Sequence, residues 1–248
     1  MRRALLLLAA SLLAPGCVSA ARQQRATARV ELGAAYLNEG NLPAATSALE
    51  QAIELNRRDW SAWNKLGLAY LAAGSADAAE RAFERGRRLA PKEPELLNNY
   101  GLLLIRRGRP AEAVPLLKAA AEDLTYRRPG LALSNLGFAH FQLGEHAEAL
   151  IALDQAVRRA PNLCEARFNR ALVHQALGQP TAALADYEGV IALCGEQVSG
   201  AYLEAGKLLL ASGQRNSGCS YLLTAAQAAR ETPLGEAAMT AHRGECGP

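Results

Sequence analysis

The chain has 248 residues, half of them hydrophobic, and its 27 basic and 24 acidic side chains give a formal net charge of +3. Without Arg2 and Arg3, which precede an apolar run, 25 basic side chains remain against 24 acidic ones. This near-balance argues against nucleic acid or another acidic polymer as the partner.

The first predicted element is a secretory signal over residues 1–16. Its leucine-rich run, 4–14, is shorter than the roughly 20 residues that a membrane-spanning helix needs. The run ends at Gly16 and Cys17, a pattern that resembles a bacterial lipobox. We therefore predict acylation of Cys17, with ordinary signal cleavage as the alternative. Residues 17–25 would be the acylated cysteine and a short polar tether.

A small residue then recurs every 34 to 36 positions: Gly33, Gly67, Gly101, Gly137, Ala171 and Gly206. We number each repeat so that this small residue is at place eight. Place 20 then holds a small residue in every repeat, and place 24 holds a bulky one. The place-24 residues are Leu49, Phe83, Leu117, Leu153, Tyr187 and Leu222. This is the tetratricopeptide-repeat (TPR) period. It predicts an all-α TPR solenoid, a right-handed superhelix of about six helix-turn-helix repeats, in which the glycines serve helix packing.

The predicted repeats span residues 26–59, 60–93, 94–129, 130–163, 164–198 and 199–232, followed by a closing segment at 233–248. The third repeat carries two extra residues between Glu122 and Pro129, which we interpret as an insertion at a surface turn, with a functional loop as the alternative. Basic pairs lie near the predicted ends of second helices, where cations stabilise the negative end of the helix dipole. We expect these pairs to cap helices rather than to contact nucleic acid: Arg57-Arg58, Arg87-Arg88 and Arg158-Arg159.

Four cysteines follow Cys17, and an exported chain allows them to oxidise. Cys164 begins the first helix of repeat five and Cys194 ends its second, so an antiparallel hairpin brings both to one end. This bridge is our first choice among three connectivities. A closing helix after residue 233 would bring Cys246 beside Cys219, and four free thiols are the alternative.

No motif indicates catalysis. The sequence has no glycine-rich phosphate loop, no Gly-x-Ser-x-Gly elbow and no carboxylate pair beyond helix-surface periodicity. His140 and His174 occupy the place that Tyr36 and Tyr70 fill in other repeats, so we expect ring packing with a satisfied nitrogen rather than a metal site. The sequence therefore predicts a non-enzyme with no metal, no cofactor and no small-molecule substrate.

Function must then lie in surfaces, chiefly a groove formed by the first helix of each repeat. Its predicted lining is mainly apolar with a few amides, which suits an apolar or amphipathic segment of a partner protein. We expect roughly half of such positions to be buried by the next repeat. The predicted groove comprises Asn64, Leu68, Asn98, Leu102, Ile105, Leu131, Phe138, Phe141, Phe168 and Leu172.

The lipobox, the six repeats, the run Leu97-Asn98-Asn99-Tyr100-Gly101 and the irregular connection at 121–126 together resemble the type IV pilus biogenesis and stability lipoproteins, pilotins of the PilF, PilW and Tgl type. The resemblance implies an outer-membrane lipoprotein on the periplasmic face that binds secretin subunits and promotes their assembly into the pilus pore. The alternative is a TPR scaffold of another cell-envelope assembly, such as secretion or peptidoglycan machinery.

Overall fold

The computed structural model describes residues 15–195 and 198–247, with side chains from residue 19 onward. Most of the predicted signal segment and the side chain of the predicted acylation site, Cys17, lie outside the described residues. Within them the secondary structure is α-helical: α1 (Pro15–Asn38), α2 (Leu42–Leu55), α3 (Trp60–Ala72), α4 (Ala76–Leu89), α5 (Pro94–Arg106), α6 (Pro110–Glu122), α7 (Pro129–Gln142), α8 (His146–Arg159), α9 (Cys164–Ala176), α10 (Pro180–Cys194), α11 (Ser199–Ala211), α12 (Arg215–Ala228) and α13 (Pro233–Cys246).

These helices fall into two compact units. The first ends at Pro91 and holds α1 to α4, and the second begins at Lys92 and holds α5 to α13. In both units consecutive helices pair as antiparallel hairpins, and α13 packs on α11 and α12. The all-α TPR fold predicted from the sequence is confirmed.

The hairpins are held together by the contact between places eight and 24. A Cβ added at Gly101 would lie 2.6 Å from Leu117 Cγ, and one at Gly137 would lie 2.5 Å from Leu153 Cγ. All six place-24 side chains are fully buried. The small residue therefore lets the second helix approach closely enough to bury a large side chain, which contributes about 1.5 to 3 kcal/mol for each one.

A second set of glycines makes the turns inside the hairpins. One stands at place 15 of every repeat with a φ between 67° and 82°: Gly40, Gly74, Gly108, Gly144, Gly178 and Gly213. An L side chain rarely adopts this left-handed conformation, whereas glycine adopts it without a steric penalty. The interpretation of the glycines as packing residues therefore holds at place eight and is wrong at place 15.

The predicted tether is helical, which corrects the sequence prediction. Residues 17–25 belong to α1, and this part of α1 lies beside the end of α2. Arg22 Nη2 donates to the carbonyl oxygen of Glu54 at 3.0 Å, and Asn56 Nδ2 donates to Gln23 Oε1 at 2.9 Å. The segment is rich in alanine, arginine and glutamine, which are strong helix formers, and it contains neither glycine nor proline.

Two disulfides close the last part of the second unit. Cys164 is bonded to Cys194, and Cys219 is bonded to Cys246. These are the partners that the sequence favours. The first bridge joins the start of α9 to the end of α10, and the second ties α13 to α12, so each links two antiparallel helices at one end.

Repeat five replaces the usual apolar residue at place seven by Arg170. Its guanidinium donates to both carboxylate oxygens of Asp186, at 2.7 and 2.6 Å, and to Asp154 Oδ1 at 2.7 Å. The bonds to Asp186 raise the pKa of Arg170 above its usual value, while burial acts in the opposite direction. The network joins α8, α9 and α10, and Asp186 is buried, with 5% of its surface exposed.

Candidate partner-binding surface

The structure buries three residues of the predicted groove. Asn64 and Asn98 are each 1% exposed and Ile105 is 3% exposed, so none of them offers a surface to a partner. Asn98 Oδ1 accepts a hydrogen bond at 2.9 Å from Asn135 Nδ2 on the neighbouring odd-numbered helix. About half of the groove positions were expected to be buried by the next repeat, and at Asn98 the buried amide serves helix packing.

The same kind of polar contact recurs one repeat further along. Asn169 Nδ2 on α9 donates to Ser134 Oγ on α7 at 3.4 Å, and Ser134 is also buried. The pairs Asn98–Asn135 and Ser134–Asn169 both join place five of one repeat to place six of the next. These bonds satisfy polar groups that would otherwise be costly to bury, and they fix how α5, α7 and α9 lie against one another.

One turn further along α5, α7 and α9, place nine is apolar and half-buried. In the second unit these residues are Leu102 on α5, Phe138 on α7 and Leu172 on α9, and we call them the place-nine stripe. In repeat six the corresponding residue is Lys207, which is paired with Glu204 at 2.8 Å. The apolar stripe therefore ends before α11. Leu131, also half-buried, lies at the start of α7. In the first unit place nine is Leu68, which is half-buried as well.

Two aromatic residues of the predicted groove, Phe141 and Phe168, pack against buried residues of the core. Phe141 packs against the cluster of Ala149, Leu153 and Val173, and its ring lies 5.8 Å from that of His146. Phe168 lies edge-on to the buried Tyr187 at 5.5 Å between ring centroids.

Leu172 packs against the same cluster as Phe168. Phe138, by contrast, has its ring 6.2 Å from Phe141 and is not among the residues packed against these clusters. It is therefore the groove aromatic best suited to contact a partner.

A second apolar surface, which sequence reasoning missed, lies over α6, α7 and α8. This α6–α8 crevice has a volume of about 590 Å³. Its rim carries Leu124, which is fully exposed, and Ile151, which is 61% exposed, with Leu133 and Leu136 below them. Two signals were available in the sequence: Leu124 belongs to the insertion of repeat three, and Ile151 occupies the place that Arg81 fills in repeat two.

The first unit has a crevice at the equivalent place, with aromatic side chains in its lining. This α2–α4 crevice, about 540 Å³, is lined by Trp63 and Tyr70 and by charged side chains that include Glu50, Arg81 and Arg85. The Tyr70 hydroxyl donates to Glu50 Oε1 at 2.8 Å. Burial, together with this bond, raises the pKa of Tyr70. The fold therefore repeats one shape in the two units, and charged side chains line both crevices: Lys118, Glu122, Glu148 and Arg159 also line the α6–α8 crevice.

The insertion between α6 and α7 is an ordered loop. Asp123 Oδ1 accepts hydrogen bonds from the backbone N–H of Thr125 at 2.8 Å and from its hydroxyl at 2.6 Å. These bonds lower the pKa of Asp123. Tyr126 packs against the core cluster that contains Leu97 and Leu133, and burial raises its pKa. The loop is thus pinned at both positions, which leaves Leu124 between them in solvent.

His140 and His174 each have a hydrogen-bonded ring nitrogen, as expected from the sequence. His140 Nδ1 lies 2.6 Å from Glu145 Oε2, and His174 Nδ1 lies 2.7 Å from Gln179 Oε1. In residues 15–195 and 198–247, no three His, Cys, Asp or Glu side chains lie close enough together to hold a metal ion. Across the same stretches, no helix has the length and apolarity needed to cross a bilayer.

Models of the tetratricopeptide repeat match residues 30–94, 92–162 and 165–185, which together make up more than half of the chain. The chain belongs to the tetratricopeptide-repeat family. TPR proteins mediate protein–protein interactions and are generally scaffolds rather than enzymes. Among curated proteins the search finds no significant sequence match.

Solved TPR structures include close matches in shape. PilW, described as a widely conserved type IV pilus biogenesis factor, superposes with a TM-score of 0.78 at 24% identity and covers 87% of this chain and 97% of its own. PilF of Pseudomonas aeruginosa gives a TM-score of 0.76 at 21% identity and covers 89% and 99%. The predicted similarity to type IV pilus TPR proteins is confirmed for the structure.

A protein of unrelated context matches equally well in shape. The Cut9–Hcn1 hetero-tetramer of the APC/C gives a TM-score of 0.77 at 14% identity, covering 92% of this chain and 45% of the other. At such low identities the likeness shows the fold alone. PilW and PilF differ from the Cut9–Hcn1 match in that the superposition covers nearly the whole of their own chains.

Proposed function

We propose that this TPR protein is an outer-membrane lipoprotein, acylated at Cys17 on the periplasmic face, that binds secretin subunits and promotes their assembly into the type IV pilus pore. The observation that carries the proposal is the half-buried place-nine stripe, Leu102, Phe138 and Leu172, on a chain that matches PilW and PilF almost end to end. The lipobox-like Gly16-Cys17 supports the location.

The mechanism follows from the apolar character of the stripe. A secretin monomer must keep its membrane-inserting or linker segment out of water before neighbouring subunits cover it. The stripe provides an apolar surface that shields this segment, and the contact is released when neighbouring secretin subunits replace it. The acyl anchor confines both proteins to the same membrane surface, which raises the effective concentration of each for the other. No chemical transformation is required for this role.

The test is a pair of charge substitutions with a matched control. Phe138→Glu and Leu102→Glu place a carboxylate on the stripe, whereas Ile151→Glu places one on the exposed rim of the α6–α8 crevice. We expect the stripe variants to lose copurification with the secretin from gently solubilised outer membranes and to lower the abundance of heat-resistant secretin multimers. The control should retain both, and circular dichroism should show the same helicity for all three.

Two results would overturn the proposal. One is a normal level of secretin multimers in a strain that lacks this protein. The other is copurification of a cell-envelope hydrolase or synthase in place of a secretin, which would assign the chain to a different envelope assembly.

A further inference from the structure

We propose that the end of the first unit from which α1 begins binds anionic lipid headgroups, through a row of exposed arginines that we call the basic edge. It comprises Arg22, Arg25, Arg57, Arg58, Arg87 and Arg88. The proposal rests on the proposed function only for the acyl group at Cys17, which would hold this edge against the membrane.

Chain topology brings these arginines together. The start of α1 lies beside the end of α2, because Arg22 Nη2 donates to the carbonyl oxygen of Glu54 and Asn56 bonds to Gln23. The connection from α2 to α3 carries Arg57 and Arg58. Because α4 runs antiparallel to α3, its last turn returns to the same end and places Arg87 and Arg88 there.

Three acidic side chains lie at this end of the unit. Asp59 caps α3 by accepting from the backbone N–H groups of Ser61 and Ala62, at 2.9 and 3.4 Å. Glu84 pairs with Arg88 at 3.6 Å, and both of these side chains remain substantially exposed. Glu54 is the third acidic residue. Six arginines against three carboxylates leave this end positively charged.

The opposite end of the first unit has the reverse charge. It consists of the two turns inside the hairpins, residues 38–41 and 72–75, and the first turns of α2 and α4. This end contains Glu39 and Asp77 but no lysine or arginine. The net charge of the first unit therefore changes from positive at one end of its helices to negative at the other. An anionic surface would attract the basic edge and repel the other end.

A lipid surface fits this edge better than nucleic acid does. Cys17 precedes Arg22 by five residues on the same helix, which corresponds to about 7.5 Å along the axis. Anionic lipid attracts basic side chains that lie within about 10 Å of its surface. The acyl group at Cys17 and a basic patch together would make two kinds of contact with the membrane, one hydrophobic and one electrostatic.

The helix-capping role expected from the sequence is compatible with this proposal for Arg87 and Arg88, which lie in the last turn of α4. It does not account for Arg57 and Arg58, because they follow the end of α2 in the connection to α3. Their side chains are exposed to solvent. This pair is therefore the most informative place to test lipid binding.

The experiment uses the mature polypeptide from residue 17 with Cys17→Ser, so that neither acylation nor a secretin is needed. Its binding to vesicles of phosphatidylcholine with 30% phosphatidylglycerol is compared with binding to phosphatidylcholine alone, by flotation at low and high salt. We expect binding to the anionic vesicles that weakens as salt rises. Arg57→Gln/Arg58→Gln should weaken it by about 10- to 30-fold, at roughly five-fold per arginine near the surface.

The control is Arg29→Gln/Arg81→Gln, which removes the same charge from exposed positions of α1 and α4 that lie at least one helical turn further from this end of the unit. It should retain most of the binding. Equal loss in the two variants would show a general charge effect and overturn the proposal, as would absence of vesicle binding. Tighter binding to duplex DNA than to anionic vesicles at the same salt would also overturn it. Because the readout requires neither pilus nor secretin, its failure leaves the proposed function intact, and a failed secretin test leaves this one intact.

Discussion

Replacing Arg170 by leucine should destabilise the second unit, although leucine is the usual residue at this place. In the structure Arg170 makes two hydrogen bonds to Asp186, whose side chain is only 7% exposed. Arg170→Leu would leave this carboxylate without its cation. Breaking a buried ion pair by removing one partner costs about 3 to 5 kcal/mol. Because the Arg170 side chain is itself 20% exposed, we expect the lower end, about 3 kcal/mol.

The informative control is the double variant Arg170→Leu/Asp186→Ala. Places seven and 23 hold leucine and alanine in repeats one, two and four, so this variant recreates a pair that the same fold already uses, for example Leu136 with Ala152. Both of these residues are buried in repeat four. Replacing a buried ion pair by apolar residues is often neutral or stabilising. We expect the double variant to lie within about 1 kcal/mol of the original chain.

Urea unfolding followed by circular dichroism at pH 7, with the disulfides intact, measures the difference. The unfolding midpoint should fall for Arg170→Leu and recover in the double variant. Repeat proteins can unfold in more than one step, so the shape of the transition is compared before a free energy is assigned. A single variant as stable as the original chain, or a double variant as weak as the single one, would refute the idea that Asp186 depends on Arg170.

Two further predictions concern the covalent and steric constraints on the array. Replacing both Cys164 and Cys194 by alanine should lower the free energy of unfolding by about 3.6 kcal/mol, the chain-entropy value for a separation of 30 residues; an unchanged urea midpoint would contradict it. Gly101→Ala should destabilise by about 1 to 3 kcal/mol because the new Cβ would lie 2.6 Å from Leu117 Cγ, whereas Gly244→Ala, with no atom within 4 Å, should stabilise its helix by about 0.5 to 1 kcal/mol. Thermal melting of both variants checks the pair, and equal shifts would show that the close contact is not the cause.

The repeat boundaries could be predicted because the residues at places eight and 24 contact each other. Place eight must be small wherever place 24 is large, since their atoms meet across the hairpin, as in Gly67 and Phe83. A periodicity that is required by a direct contact between two residues can be recognised in a single sequence. The disulfide partners followed from the same register, because antiparallel helices fix which ends come together.

The groove was harder to predict. The helical period shows which residues share one face of a helix, but it does not show how far that face is buried by neighbouring helices. Asn98 and Leu102 are one turn apart on α5 and share a face, yet the first is 1% exposed and the second is half-buried. The difference depends on α7, whose Asn135 reaches Asn98. A contact between residues 37 positions apart is set by the angle between repeats, which the pattern within one repeat does not contain. The same limit hid the α6–α8 crevice, since Leu124 and Ile151 come from different repeats.

The distribution of polar and apolar residues on α5 and α7 runs opposite to what the stability of the chain alone would favour. Place five is polar and buried, at Asn98 and Ser134, while place nine is apolar and half-buried, at Leu102 and Phe138. Buried polar groups need bonding partners, which Asn135 and Asn169 supply, and a half-buried apolar side chain gains less from folding than a fully buried one. The buried bonds fix the spacing between neighbouring helices and therefore the spacing of the apolar side chains one turn away. Rigid spacing of half-buried apolar groups favours recognition of another polypeptide, because it lowers the entropy lost on binding.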